Sequence, residues 1–269
     1  MDEPNFAELL RTSGSVIRQA CQFLNEFLIP EAVDRVNAEF SPARLWKLSR
    51  EREPLPVHTT QLSSYRTRMG TILEYALSTA IQESLRRRYG DELLLTFAVA
   101  HEYPDFYLRD RNLHVRLRIE MKTVDADSDE QAARFDVATS GIDAERDVVI
   151  FVAWEWEVFS TPDGGQGERP FIFAHLAAVS SEIAAERDQR LLAIGGRIDD
   201  DRVMVPSTKT PGVMVSDPGN YGKLWRIITR ARHGAADQSE YVRRFEQFLR
   251  RVDEHAVARG SRRRRRFRE

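Results

Sequence analysis

The sequence predicts a mixed α/β protein with a central sheet flanked by helices and an additional helical lobe at the N-terminus. Three observations predict it. Apolar residues recur at helical spacing over the first forty or so positions and again over 66–89. Strand-like runs then follow one another between Leu93 and Thr123. A long apolar run, Asp147 to Trp156, reads as a buried sheet strand after an intervening helix. Helix, three strands, helix, strand is the order of a layered α/β core.

Along the chain, Phe6, Leu9, Leu10, Val16, Ile17, Ala20, Phe23, Leu24, Phe27 and Leu28 mark an amphipathic helical segment, and a second helix is expected from Glu31 to Phe40. Ser41-Pro42 supplies an N-cap and a first-turn proline for a short helix through Leu48. Pro54 and Pro56 break the chain. In the helix over 66–89, Ile72, Leu73, Ala76, Leu77, Ala80 and Ile81 form the apolar stripe, Glu74 borders it, and Gly90 stops it.

Strands are expected over Leu93–Ala100, Pro104–Arg109 and Leu113–Thr123. The last alternates most cleanly: Val115, Leu117, Ile119 and Met121 share one face, and His114, Arg116, Arg118, Glu120 and Lys122 the other. An acidic stretch from Asp125 leads into a helix over 129–138, with Asp125, Asp127 and Asp129 as turn and cap residues or, alternatively, metal ligands. Gly164, Gly165 and Gly167 mark a loop. Beyond it come a strand over Phe171–Val179, a helix over Ser181–Leu192, and a short strand, Val213–Val215, between Pro-Gly turns. Helices over 220–230 and 238–252 complete the pattern. The expected organisation is a helical lobe over 1–62, serving dimerisation or DNA contact, a core with C-terminal recognition elements over 63–258, and a basic tail over 259–269.

Composition narrows the function. With 42% hydrophobic residues, the 269-residue chain readily supplies a core. Cys21 is the single cysteine, which excludes an intrachain disulfide framework or a thiolate metal cluster. No stretch reads as a signal peptide or a bilayer span, so a cytoplasmic protein is expected. A formal charge of −2 does not advertise a nucleic-acid partner, but local potential at a cleft matters more than the total. No phosphate-loop, zinc-finger or zincin spacing occurs. Lysine is scarce, at positions 47, 122, 209 and 223, so a lysine inside a strand is a pointed choice.

Asp105, Glu120 and Lys122 stand out. Phosphodiester hydrolysis needs a divalent cation held by hard oxygen ligands, an activated water and compensation of charge on the phosphoryl group. Asp105 and Glu120 supply oxygens. Lys122, two residues on, lies on the same strand face about 6.5 Å further along, where an ammonium can orient water or neutralise charge.

Pro104-Asp105 followed by Glu120-Met121-Lys122 resembles the signature of the PD-(D/E)XK nuclease superfamily, which includes most type II restriction endonucleases. In that superfamily the Asp begins the second core strand, the acidic-x-Lys lies on the third, and the preceding helix often adds a carboxylate after a glycine. Arg68, Gly70 and Glu74 resemble that feature. The likeness covers residues 66 to about 157. It implies a restriction-endonuclease-like core with Mg²⁺ on Asp105 and Glu120, Glu74 as a further metal or supporting residue, and Lys122 positioning the nucleophile. It further implies a type II restriction endonuclease cutting double-stranded DNA at a short specific site to leave a 5′-phosphate and a 3′-hydroxyl. Such an enzyme is expected to be a homodimer with a cognate DNA methyltransferase. Arg116 and Arg118, on the same face, and Lys223 and Arg226, near a helix start with Tyr221, are candidate DNA contacts or, alternatively, structural ion pairs. Gln131 is a further polar candidate near the site, His114 a structural or DNA-contact residue, and the arginine run 262–266 a nonspecific DNA-binding tail or a plain solvated one. The rival readings are a repair or recombination nuclease of the same fold, a nonenzymatic DNA-binding or interaction module, and an inactive nuclease-like domain.

Overall fold

The computed structural model describes residues 5–11, 16–39, 46–49, 51–54, 57–98, 103–126, 141–161, 163–199, 202–216 and 239–258. The expected helices over 129–138 and 220–230 and the basic tail lie outside them, as do Gln131, Asp127, Asp129, Tyr221, Lys223 and Arg226.

The N-terminal lobe is built from α1 (Phe6–Leu9), α2 (Ile17–Phe23), a π-helical turn (Leu24–Leu28) and α3 (Ile29–Glu39). Its apolar stripe is buried: Phe6, Ala20, Leu28 and Ile29 are each 0% exposed. These side chains join one continuous core with the sheet. The lobe therefore contributes to the main hydrophobic core as well as standing beside it.

A six-stranded mixed sheet forms the centre. Its strands are β1 (Lys47–Leu48), β2 (Leu93–Phe97), β3 (Phe106–Asp110), β4 (Val115–Asp125), β5 (Asp147–Ser160) and β6 (Gln166–Val179). Their order is β1-β6-β5-β4-β3-β2. Only β4 and β5 run parallel; the other pairs are antiparallel. The central strand β5 is buried from Asp147 to Trp156, as expected for a strand covered on both faces. The helix α4 (Thr59–Tyr89) lies against β4, and α5 (Ser180–Ala193) and α6 (Glu240–Ala258) also pack on the sheet. Phe151 of β5 sits 4.4 Å from Phe245 of α6, ring centre to ring centre. A small three-stranded sheet, β7 (Arg197–Asp199), β8 (Arg202–Pro206) and β9 (Met214–Ser216), has its own minor core of Leu191, Val203 and Val205.

Several expectations are corrected. The short helix through Leu48 is not formed at its end, because Lys47 and Leu48 pair as β1 with Glu168 and Gly167. The reason is tertiary. The Lys47 ammonium contacts the Glu168 carboxylate and lies 4.7 Å above the Trp156 ring, which outweighs local helix propensity. Gly167 belongs to β6 rather than a loop. A Cβ there would meet the Phe159 ring at 2.8 Å and the Trp46 ring at 2.9 Å. The helix expected from 66 begins at Thr59, and the strands expected to end at Trp156 and to begin at Phe171 run on into a long β5–β6 hairpin. The hairpin over 197–206 went unread, since Asp199 to Asp201 look like a loop in isolation.

The outer edge of β6 is closed by side chains of the lobe. Asn25 accepts from Ala177 N (2.7 Å) and donates to Ala177 O (2.8 Å). Asn37 does the same with Ile172 N (2.8 Å) and Ile172 O (2.9 Å). Each primary amide thus imitates a neighbouring strand's peptide and satisfies edge groups that would otherwise remain unpaired.

Candidate active site

The two edges of β4 differ along its length. The strand runs to Asp125, whereas β3 starts at Phe106, whose partner is Ile119. Beyond Ile119, β4 lacks a β3 partner on that side. Continuing the register by one step sets Asp105 opposite Glu120. The side chain of Asp105 turns into this notch, and its Oδ2 accepts the Met121 amide at 2.8 Å. A carboxylate therefore stands where a strand carbonyl would otherwise have paired.

Three more charged groups converge here. The Lys122 ammonium contacts Glu120 Oε1. Glu120 is 6% exposed, and its Oε2 is buried with no hydrogen-bond partner. Glu74 comes from α4, which approaches β4 closely at Gly70. A Cβ on Gly70 would meet Thr123 Oγ1 at 2.7 Å, so glycine permits the contact one helical turn before Glu74.

Electrostatics ties the four together. Burial pushes the Glu74 carboxyl up to about 7; the charges of Asp105 and Glu120 push the same way, and Lys122 pulls it down. Burial also raises Glu120, Lys122 opposes that rise, and Asp105 adds to it. For Lys122, burial works against the charge. Glu120, Asp105 and Glu74 more than compensate and hold the ammonium above its ordinary value. This half-buried cluster of three carboxylates and one ammonium, with Glu120 at its buried centre, carries excess negative charge in a poorly solvated place, a common feature of functional sites.

The donor set is chemically suited to a hard cation such as Mg²⁺: all carboxylate oxygens, one of them buried and unpartnered. Positive charge would relieve their mutual repulsion. The arrangement is nevertheless not a finished coordination shell. Among the described residues no group of three His, Cys, Asp or Glu side chains is placed to hold a metal ion. Lys122 covers one Glu120 oxygen and the Met121 amide one Asp105 oxygen.

The two arginines of the strand face are not part of this cluster. Arg116 donates to Asp110 Oδ2 through Nε (3.0 Å) and Nη2 (2.7 Å). Asp110, which sequence reasoning missed, is buried at the β3–β4 turn and also accepts from the amides of Asn112 and His114. Burial alone would raise its carboxyl, but Arg116 and these amides hold it at about 2. Aspartate before a short polar turn is the signal that was available. Arg118 lies 3.1 Å from the fully buried Asp147 Oδ1, an ion pair outside hydrogen-bond angles, and donates to Gly141 O at 2.8 Å. Both arginines are engaged in structural pairs that lock the ends of β3, β4 and β5. His114 is exposed. Asp125 is not a cap: it lies in β4 and is paired with Arg66 Nε at 3.1 Å.

Fold and site together define a mixed α/β protein, its central sheet flanked by helices and extended by an N-terminal helical lobe, with a half-buried carboxylate–lysine cluster at the edge of β4 that β3 leaves unpaired among the described residues. Compared with models of known families, with curated proteins and with solved structures, the chain matches none. None of the described helices is long and apolar enough to cross a membrane.

Proposed function

We propose that this protein is a Mg²⁺-dependent endodeoxyribonuclease that hydrolyses phosphodiester bonds of double-stranded DNA. The observation that carries the reading is the convergence of Asp105, Glu120 and Lys122 at the notch of β4, with Glu74 within electrostatic reach. Asp105 and Glu120 hold the cation and Glu74 supports it. When bound, Mg²⁺ supplies the charge that makes a phosphoryl group more electrophilic and water more acidic. Lys122 donates hydrogen bonds that orient the attacking water, and its charge balances the negative charge gathering on the phosphoryl oxygens. Burial of Glu120 and partial burial of Lys122 limit bulk water at the reacting phosphate and strengthen both effects.

The finer form of the reading, supported by the motif resemblance, is a type II restriction endonuclease. It would act in the cytoplasm as a homodimer on a short symmetric site, with a methyltransferase protecting that site, because a two-fold site suits a two-fold protein. A repair or recombination nuclease is the second reading. An exposed aromatic pair beside the site, Tyr75 and Phe97, favours it. The test is cleavage of plasmid DNA by purified protein with Mg²⁺ and with EDTA, followed by sequencing of the ends. Metal-dependent cuts with 5′-phosphates at one short sequence support restriction; cuts confined to gapped, flapped or mismatched DNA support repair. No cleavage of any DNA under either condition would end the nuclease reading.

A further inference from the structure

Tyr75 and Phe97 are 54% and 51% exposed, unusual for large aromatic residues, and their rings lie 4.9 Å apart at 36°. A third ring, Phe106, is buried behind Phe97 at 5.1 Å. The pair therefore stands on a packed base and presents a preordered apolar surface to solvent.

Its position links it to the carboxylate cluster. Tyr75 directly follows Glu74 on α4. Phe97 is the cross-strand partner of Phe106, the residue after Asp105. Tyr75 thus shares its helix with Glu74, and Phe97 sits on the strand beside the one that Asp105 precedes. Tyr75 lies seven residues after the exposed Arg68, hence on the same side of α4, and the exposed positions between them include Thr71 and no acid.

We propose that Tyr75 and Phe97 form a stacking platform for one unpaired base of a nucleic-acid strand whose phosphate lies at the Asp105–Glu120–Lys122 notch, with Arg68 facing the strand's backbone. Every base has a π-face, so this recognition tolerates sequence but discriminates against a base held within a duplex stack. The proposal rests on the nuclease reading above and, within it, favours the repair or recombination form by naming the substrate class: DNA with an unpaired or readily extruded nucleotide beside the scissile bond.

The test uses the full chain and two otherwise identical oligonucleotides, a complete duplex and one with a single-stranded flap. Each carries 2-aminopurine beside the cut position. Binding is followed by fluorescence in Ca²⁺ and cleavage in Mg²⁺. The wild type is expected to quench the probe on the flap and to prefer the flap over the duplex. Tyr75→Ala and Phe97→Ala each reduce that preference about tenfold, and Tyr75→Phe retains it. Because both side chains are half-exposed, thermal melting of the alanine variants confirms that they fold. Cleavage of both oligonucleotides with a preference unchanged in the alanine variants overturns the platform and leaves the nuclease intact. The same holds if the two rings prove to be a protein contact, which would alter association state and not DNA preference. Failure of the wild type to cleave either oligonucleotide overturns the platform, and the nuclease reading falls with it only where plasmid DNA is left uncut as well.

Discussion

Side chains meet unpaired backbone at two places on the central sheet, the outer edge of β6 and the end of β4, and the chain treats them in opposite ways. At β6, Asn25 and Asn37 bring neutral amides that satisfy a donor and an acceptor each, at 2.7–2.9 Å. At β4, Asp105 brings a carboxylate that satisfies a single amide and adds charge beside Glu120 and Glu74. The first edge is closed in a way that removes electrostatic cost. The second is left with like charges in a poorly solvated place, which lowers stability and is a pattern often found at functional sites. Within one sheet, then, unpaired backbone is met at one place by neutral amides that satisfy it and at another by carboxylates that repel one another.

The largest effect tests whether the β4 notch is chemical. Asp105→Ala and Lys122→Ala are each expected to lower Mg²⁺-dependent DNA cleavage by at least about a hundredfold, with circular dichroism spectra like the wild type. Wild-type rates in either variant would remove that residue from the mechanism. Next comes the β6 edge. Asn25→Asp and Asn37→Asp each set a carboxylate oxygen against a strand carbonyl, at a cost on the order of 1–3 kcal/mol, read as a lower urea midpoint. Unaltered midpoints would show that the lobe does not need these bonds to close the edge.

A smaller effect follows from pH. The Glu74 carboxyl is raised from an ordinary 4.5 to about 7, so the folded state holds more protons than the unfolded state between those values. Its stabilising contribution is complete below the unfolded value and is lost as pH rises through the folded one. The full shift would correspond to about 3 kcal/mol. Partial exposure and screening reduce the expectation to on the order of 1 kcal/mol. Melting temperature should therefore fall between pH 5 and pH 8 (about the window these values set), and Glu74→Gln should flatten that slope. Added Mg²⁺ should recover stability at the upper end in the wild type and not in Glu120→Gln. An equal slope in Glu74→Gln would assign the pH dependence elsewhere.

The smallest stability change is expected at Gly70. Alanine gains about 1 kcal/mol of helix preference but collides with Thr123 Oγ1, so the net change in melting is slight while cleavage drops as Glu74 is displaced. Adding Thr123→Ala should restore cleavage. Failure of that rescue would separate the close helix–strand contact from the placement of Glu74.

What could be read from the sequence follows the two structural periods. The alternation of Val115 to Lys122 already assigned Met121 to the core and put Glu120 and Lys122 on one face, because side-chain direction in a strand is set locally. The stripe of α4 likewise put Glu74 at its margin. The unbroken run of β5 marked a doubly covered strand. Local pattern carries no information about partners. The pairing of Lys47–Leu48 with β6, the amides of Asn25 and Asn37 on its edge, and the engagement of Arg116 with Asp110 depend on segments brought together by folding.

The sequence by itself determined the α/β class, the helix α4 and the strands β2 to β6 of the core, and the faces on which their polar side chains lie, since each rests on spacing within one segment. Tertiary structure decided that β3 begins short of the end of β4, that Asp105 turns into the resulting notch, and that Glu74 reaches it from a helix drawn close at Gly70. Those outcomes depend on register between strands and on the distance of a helix from a sheet. Both are fixed by packing across the whole core, which no single stretch of residues encodes.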